Sequence, residues 1–318
     1  VQTTTQSITL GNTNVSTAPL GIGTWAWGDK LFWNYGKDYD ENQLRDAFNT
    51  AIEAGITLFD TAEIYGTGDS EKLIGRFMKE RNQPVQIATK YFPFPWRFNG
   101  DAVADALSGS LKRLQLPSVA LYQVHMPFDF FMGKKTLMNA LADEVQQGRI
   151  QAIGVSNYTA EQMRYAHSVL SDRGVPLAVN QMPYSLLGRQ IETNGVIETA
   201  RDLNITILAY SPLAQGLLTG KYAPENEVRP SGARRLNPQF SREGLEKIQP
   251  IVALLREIGQ KYDRTPAQVA LNWLIAQGNV IPIPGAKNAD QSRQNAGALG
   301  WLLTADEVDA IDRLTRKP

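Results

Sequence analysis

The chain has 318 residues, 42% apolar and 20% charged, which is the composition of a folded globular protein rather than a disordered one. Its 32 basic and 32 acidic side chains cancel, so no bulk field draws it to nucleic acid or to an anionic membrane. Cysteine is absent and histidine occurs only at His125 and His167, which excludes disulfides, thiolate chemistry and any metal centre built on sulfur or a histidine cluster.

No apolar run approaches the roughly 18 residues that span a bilayer, and the polar start lacks the basic-then-apolar order of a secretion signal. With no thiols to oxidise, a cytoplasmic setting is expected. No heptad or apolar stripe marks a subunit interface, so a monomer is expected.

The chain opens on a β-hairpin, Ser7-Ile8-Thr9-Leu10 returning as Val15-Ser16 after a turn at Gly11-Asn12. Eight short apolar runs follow, at 20–23, 58–60, 85–90, 119–125, 150–156, 178–182, 205–210 and 280–283. Each leads sooner or later into a helical pattern, as at 41–54, 70–79, 102–114, 137–147 and 159–170. Gly55 reads as a left-handed terminator of the first of these. Thr159 with Gln162, Thr265 with Gln268 and Thr304 with Glu307 have the spacing of capping boxes, and Pro266 suits a first helical position.

Alternating strands and helices imply a parallel sheet with helical crossovers, and eight units in this length predict a closed (β/α)8 TIM barrel of the α/β class. The expected layout is one domain over 1–318, with an N-terminal hairpin and an extra helix at the C-terminus. A dinucleotide-binding open sheet is the rival, but Gly21-Ile22-Gly23 is followed by Trp25, Ala26 and Trp27 without the third glycine. The stretch 223–241, rich in Pro, Arg, Asn and Glu, reads as a long loop on the catalytic face and a candidate lid.

Catalytic residues of such barrels sit at the C-terminal ends of the strands. Here those ends carry Asp60 with Tyr65 close behind, Lys90, His125, Ser156-Asn157, Asn180-Gln181 and Tyr210-Ser211. Each alone has a plain explanation as a turn cap, a solvated charge or a surface ring. Together, an acid, a phenol, an amine and an imidazole on one rim suit proton donation to a developing alkoxide. A phenol with a pKa near ~10 holds its proton at neutral pH, a Lys90 cation would lower that pKa, and Asp60 would keep the lysine charged. His125 would orient the carbonyl oxygen or assist the proton movement.

With these residues in view the sequence resembles the aldo-keto reductases over nearly its whole length. The carrying motifs are Gly23-Thr24-Trp25, Asp60-Thr61-Ala62 with Tyr65-Gly66, Thr89-Lys90, His125, Gly154-Val155-Ser156-Asn157, Tyr210-Ser211-Pro212-Leu213 and Pro284-Gly285-Ala286-Lys287 through Asn295. The Gly23-to-Gly28 opening, Pro95-Trp96-Arg97 and Leu299-Gly300-Trp301 are most similar to the plant pyridoxal reductase branch and its bacterial relatives.

The resemblance implies the tetrad Asp60, Tyr65, Lys90 and His125, with Tyr65 as the acid, and the cofactor NADPH/NADP. It implies that Ser156, Asn157 and Gln181 hold the nicotinamide carboxamide while Tyr210 stacks on the ring. Ser211, Pro212, Leu213, Gly216 and Lys221 would line the pyrophosphate path, and Gly23, Thr24, Trp25 and Asp60 would complete the seat. Pro284, Gly285, Ala286, Lys287, Gln291, Gln294 and Asn295 would form its phosphate end. There Asn288 reads as a helix cap, so free amides and a positive dipole end face an anion. Lys287 adds a full charge suited to a 2′-phosphate, whereas Gln291 stands where the family often has arginine.

The expected substrate pocket is aromatic: Trp25, Trp27, Trp33, Tyr65, Phe92 and Trp96 with His125. A small-molecule carbonyl compound is the expected partner, small reactive aldehydes such as methylglyoxal foremost and pyridoxal as the alternative. The reading from another class, a cofactor-binding subunit of a channel, is also carried forward. An isomerase barrel leaves Tyr210 and the Ser156-Asn157 pair without a role.

Overall fold

The computed structural model describes residues 7–128, 130–225, 230 and 237–316. About half of the candidate lid at 223–241, residues 226–229 and 231–236, lies outside them. The hairpin forms as β1 (Ile8–Thr9) and β2 (Ser16–Thr17), paired antiparallel.

The eight apolar runs become β3 (Gly21–Gly23), β4 (Leu58–Asp60), β5 (Gln86–Tyr91), β6 (Val119–Val124), β7 (Ile150–Ser156), β8 (Leu177–Pro183), β9 (Thr206–Tyr210) and β10 (Val280–Pro282). They pair in parallel in chain order as one eight-stranded sheet. The two ends of the sheet meet where Gly23 bridges Gly285 and its N–H donates to the Pro284 carbonyl at 3.0 Å. A Cβ on Gly23 would lie 2.8 Å from the Ile283 carbonyl oxygen, so only glycine lets the ends come this close.

The crossovers carry α1 (Glu41–Glu53), α2 (Asp69–Arg81), α3 (Asp101–Leu114), α4 (Lys134–Gln146), α5 (Ala160–Ser171) and α6 (Val196–Asp202). Between β9 and β10 come two helices, α7 (Arg242–Tyr262) and α8 (Pro266–Ile275), and after β10 come α9 (Ala289–Ala296) and α10 (Ala305–Thr315). The boxes headed by Thr159, Thr265 and Thr304 are formed, and a fourth at Asp40 and Gln43 opens α1. Each satisfies two amides that the first helical turn leaves without a partner. Gly55 takes its left-handed φ of 84° just past α1.

Strand parity then places the chemistry. Side chains two residues apart share a face, and Leu58, Ala88, Leu121, Ala152, Val179 and Leu208 form the apolar filling inside the barrel. The residues two or four positions further on, Asp60, Lys90, Gln123, Ser156, Gln181 and Tyr210, therefore also point inward, one layer nearer the C-terminal mouth. The opposite faces, with Phe59, Ile87, Tyr122 and Ile207, pack under the helices. Leu10 and Val15 of the hairpin join the inner filling and stop the barrel's other end.

Candidate active site

Asp60 and Lys90 form a buried ion pair of 2.6 Å, with side chains 3% and 0% exposed. Such a pair is retained only where the remaining polar atoms are satisfied, and here they are. The second Asp60 oxygen, Oδ1, accepts from Gln123 Nε2 at 3.0 Å and from Gln181 Nε2 at 2.8 Å. The ammonium spends its three protons on Asp60, on the Thr61 carbonyl at 2.8 Å and on the Tyr65 hydroxyl oxygen at 3.3 Å. Burial pushes the Lys90 pKa down, but Asp60 foremost and then Tyr65 reverse this, and the net direction is up. Lys90 is a fixed cation.

Because the Tyr65 oxygen accepts from Lys90, its own O–H proton is free to point elsewhere. Lys90 acts on the phenol's pKa in the expected direction, downward, but it does not set the net shift. Burial raises it more than the lysine lowers it, and Asp60 adds to the rise, so the net shift is upward. Desolvating a phenolate costs more than one cation beside the ring returns.

Beside the Tyr65 ring stands His125, with centroids 5.6 Å apart and the planes nearly perpendicular. Burial, with repulsion from Lys90, brings its pKa down from 6.5 to about 3. The imidazole is neutral near pH 7, and its buried Nδ1 has no hydrogen-bond partner among the described residues. A neutral imidazole can offer a hydrogen bond to an oxygen placed beside the Tyr65 hydroxyl.

A chain of amides and hydroxyls runs from this centre to the far wall. The Tyr210 hydroxyl donates to Asn157 Oδ1 at 3.0 Å, Asn157 Nδ2 donates to Ser156 Oγ at 3.0 Å, and Ser156 Oγ donates to the Gln181 carbonyl at 3.1 Å. Gln181 closes the circuit on Asp60. Gln123 is the member that sequence reasoning missed. Its signal was an amide at an inward position of an otherwise apolar strand, and Gly154 makes room for it, since a Cβ there would sit 2.8 Å from Gln123 Cγ.

Beyond Tyr210 the backbone turns left-handed at Ser211 (φ 51°), Ala214 (φ 48°), Gln215 (φ 58°) and Gly216 (φ 102°). Successive residues of this kind direct amide groups into a concavity that suits an anion. A cleft of about 170 Å³ opens here between Tyr210, Ser211, Ala214, Gln215 and Tyr184. Pro212 is buried beneath the turn, Leu213 is partly buried, and Lys221 stands exposed with its ammonium 5.6 Å from the Tyr222 ring. A larger recess of about 370 Å³ at the opposite end of the barrel, by Asn12, Asn14 and Gln151, has no titratable side chain in its lining.

The segment after β10 forms the other shoulder. Asn288 caps α9, accepting from the Gln291 amide, while Gln291 Oε1 accepts from the Lys287 amide at 2.8 Å. Lys287 holds its ammonium 4.6 Å from the Trp33 ring and 4.5 Å from that of Tyr39. Asn295 Nδ2 is bound to the Gly285 carbonyl, Gln294 is exposed beside Thr265, and Pro284 and Ala286 are buried.

One expected site residue lies elsewhere, and a second, Thr24, is at the site with its hydroxyl already engaged. Trp27 is fully buried, packs on Phe48, Phe59 and Phe77, and donates its indole N–H to the Ala286 carbonyl at 2.8 Å. It belongs to the core and not to the substrate pocket. Two residues along from Trp25 on the same loop, it falls on the inner side. The Thr24 hydroxyl is buried against the Asp60 carbonyl and Ser70, so it fixes the acid's backbone and has no free group for a ligand.

The other rings do gather at the mouth. Trp25 is 41% exposed, stacks on Phe32 and lies 6.5 Å from Tyr65, while Trp33 meets it edge-on. Phe92 stands 5.7 Å from His125, and Phe94 connects it to an exposed Trp96.

Residues 19–316 match the model of the aldo/keto reductase family. A chloroplastic pyridoxal reductase of Arabidopsis thaliana is 40% identical over 314 residues, which cover 95% of this chain and 84% of that protein. Among solved structures, a glycerol dehydrogenase of Gluconobacter oxydans superposes with a TM-score of 0.86 at 28% identity, covering 98% of this chain and 95% of its own. An aldo/keto reductase of Klebsiella pneumoniae, solved with NADP and acetate, gives 0.76 at 26% identity over 98% and 96% of the two chains. The chain belongs to the aldo/keto reductase family.

Proposed function

We propose that the protein reduces aldehydes, and some ketones, to alcohols with NADPH, Tyr65 supplying the proton. The observation that carries this reading is the Tyr65 hydroxyl, whose oxygen accepts from Lys90 at 3.3 Å and whose proton is thereby left for a substrate oxygen.

The residues fit a nicotinamide dinucleotide. Gln181 has committed its amide nitrogen to Asp60 and Gln123, so its Oε1 is the atom left for a carboxamide NH2, next to Ser156 and Asn157. Tyr210 offers a ring face, the left-handed turn after it offers amides to the pyrophosphate, and Lys287 with the α9 N-terminus suits a 2′-phosphate. When bound there, NADPH would supply the hydride for the carbonyl carbon. His125 and Tyr65 orient the carbonyl oxygen. Tyr65 gives its proton to that oxygen as negative charge develops, and the phenolate, steadied by Lys90, regains a proton from water.

Small reactive aldehydes, methylglyoxal among them, suit the site. Pyridoxal is the second reading, favoured by the likeness to the plant pyridoxal reductase and by the aromatic rim. The test is NADPH oxidation, with NADH in parallel, against methylglyoxal, pyridoxal, an aryl aldehyde and a ketone. Turnover is expected in the parent. Tyr65→Phe is expected to lose roughly 10²-fold or more of the rate, the scale of a general acid, while binding NADPH as the parent does. Equal rates in the two would remove Tyr65 as the acid. Tight NADPH binding with no turnover on any compound would favour a cofactor-binding subunit that modulates a partner.

A further inference from the structure

Glu63 lies between Asp60 and Tyr65 in the chain and takes no part in the proton chemistry above. Its carboxylate is 9% exposed and makes a two-pronged pair with Arg97 at 2.6 and 2.9 Å. Arg97 sits at the far end of the loop that follows β5. Between them the two side chains hold both backbone polar groups of Phe92: its N–H donates to Glu63 Oε1 at 2.6 Å, and its carbonyl accepts from Arg97 Nη1 at 2.8 Å. The guanidinium also lies over the Tyr91 ring at 4.8 Å and the Phe94 ring at 5.2 Å.

This arrangement does more than anchor a loop. From Phe92, 5.7 Å from His125, the rings run outward to Phe94 at 4.6 Å and on to Trp96, which lies flat on Phe94 at 4.5 Å with an 11° interplanar angle. Trp96 is 65% exposed, so the far end of this stack reaches solvent. A planar fork is suited to such a task, because it fixes direction as well as distance and stacks on rings while it does so. A lysine in its place would supply the charge without the plane.

We infer that the Glu63–Arg97 pair is a positioning device for specificity: it sets the Phe92–Phe94–Trp96 wall against His125 and Tyr65, and so lowers KM for planar aromatic carbonyl compounds while leaving small aliphatic ones, which the site also takes, unaffected. This rests on the reductase reading. A planar ring gains contact along a rigid wall, whereas a three-carbon aldehyde reaches His125 and Tyr65 without touching the outer rings. The pair acts through the wall and not on the reacting atoms, so its loss raises KM for the aromatic substrate and spares kcat.

The test measures steady-state kinetics at saturating NADPH with benzaldehyde and with methylglyoxal, in the parent, Arg97→Met, Arg97→Lys and Glu63→Gln. The expected result is a fall of about tenfold in kcat/KM for benzaldehyde in Arg97→Met, carried by KM, with methylglyoxal changed by less than about twofold. Arg97→Lys is expected to restore little of it. Equal losses for both aldehydes, or a loss carried by kcat, would show a merely structural pair and overturn the inference. So would a parent that reduces methylglyoxal but not benzaldehyde. A parent that reduces neither refutes the reductase reading itself. Should Arg97→Met not fold, Phe94→Leu removes the plane shared by the guanidinium and Trp96, and the same selective loss is expected of it.

Discussion

His125 sits where water and countercharges are both scarce, and this makes it visible in the protein's response to acid. As pH falls through 6.5 the unfolded chain takes up a proton at this position, whereas the folded chain does not until about pH 3. In that window the unfolded state binds more protons, so stability declines as pH falls and levels off below it. Between pH 7 and 5 the loss from this group is on the order of 2 kcal/mol. Urea unfolding of the parent and of His125→Gln at the two pH values checks this, with His167 common to both. The variant is expected to lose less stability, and the same loss in each would contradict the burial argument. Residues also show where sequence reading stopped. Asp60, Tyr65, Lys90 and His125 were legible because strand ends are few and these chemistries are rare there. Gln123 and Glu63 were not, because an amide or carboxylate acquires its meaning only from partners on other strands. Trp27 was misplaced for a related reason. Which side of a loop a ring faces depends on packing from Phe48, Phe59 and Phe77, distant in the chain.

Elements were the most legible level. The runs that became β4 and β7 have the bounds their apolar patterns give, and the helix starts at Ala160, Pro266 and Ala305 follow from capping boxes readable as spacing. The predicted closed barrel puts β3 beside the last strand, but the contact that makes the join, Gly23 on Gly285, was not readable, since no local pattern records the register between segments so far apart in the chain. That join depends on one missing side chain. Gly23→Ala would drive a Cβ to within 2.8 Å of a carbonyl on a backbone that cannot yield without moving the strand. A loss of about 1–3 kcal/mol, the usual cost of overpacking, is expected in urea unfolding. Gly285→Ala on the other side of the same bridge is the control, because its Cβ would meet only the Gly23 carbonyl oxygen at an ordinary 3.6 Å. Similar losses in the two variants would mean that the close approach is not what demands glycine at position 23.

At the scale of the whole molecule, the proposed cofactor seat draws on the ends of β7, β8 and β9 and on the start of α9. No such seat exists in the unfolded chain, so binding is linked to folding. NADP+ at a hundred times its dissociation constant is expected to add about 2.7 kcal/mol to stability. NAD+ at the same concentration should add less, and Lys287→Ala should erase most of the difference. Equal stabilisation by the two nucleotides in the parent would remove Lys287 from the 2′-phosphate site.

The Gly23–Gly285 join also has a consequence in time. A ribosome makes the two sides of this seam roughly 260 residues apart, on the order of tens of seconds at about 5–20 residues per second. Throughout that interval β3 has a neighbour on one side only, and an unpaired strand edge is a template for pairing with other chains. Asp60, Lys90, Gln123 and Gln181 are all synthesised before β10, so the nascent chain carries the buried ion pair and its amide partners before the barrel around them can close. The period of greatest exposure to misassembly thus falls late in translation, when nearly all of the barrel has been made and its last strand has not.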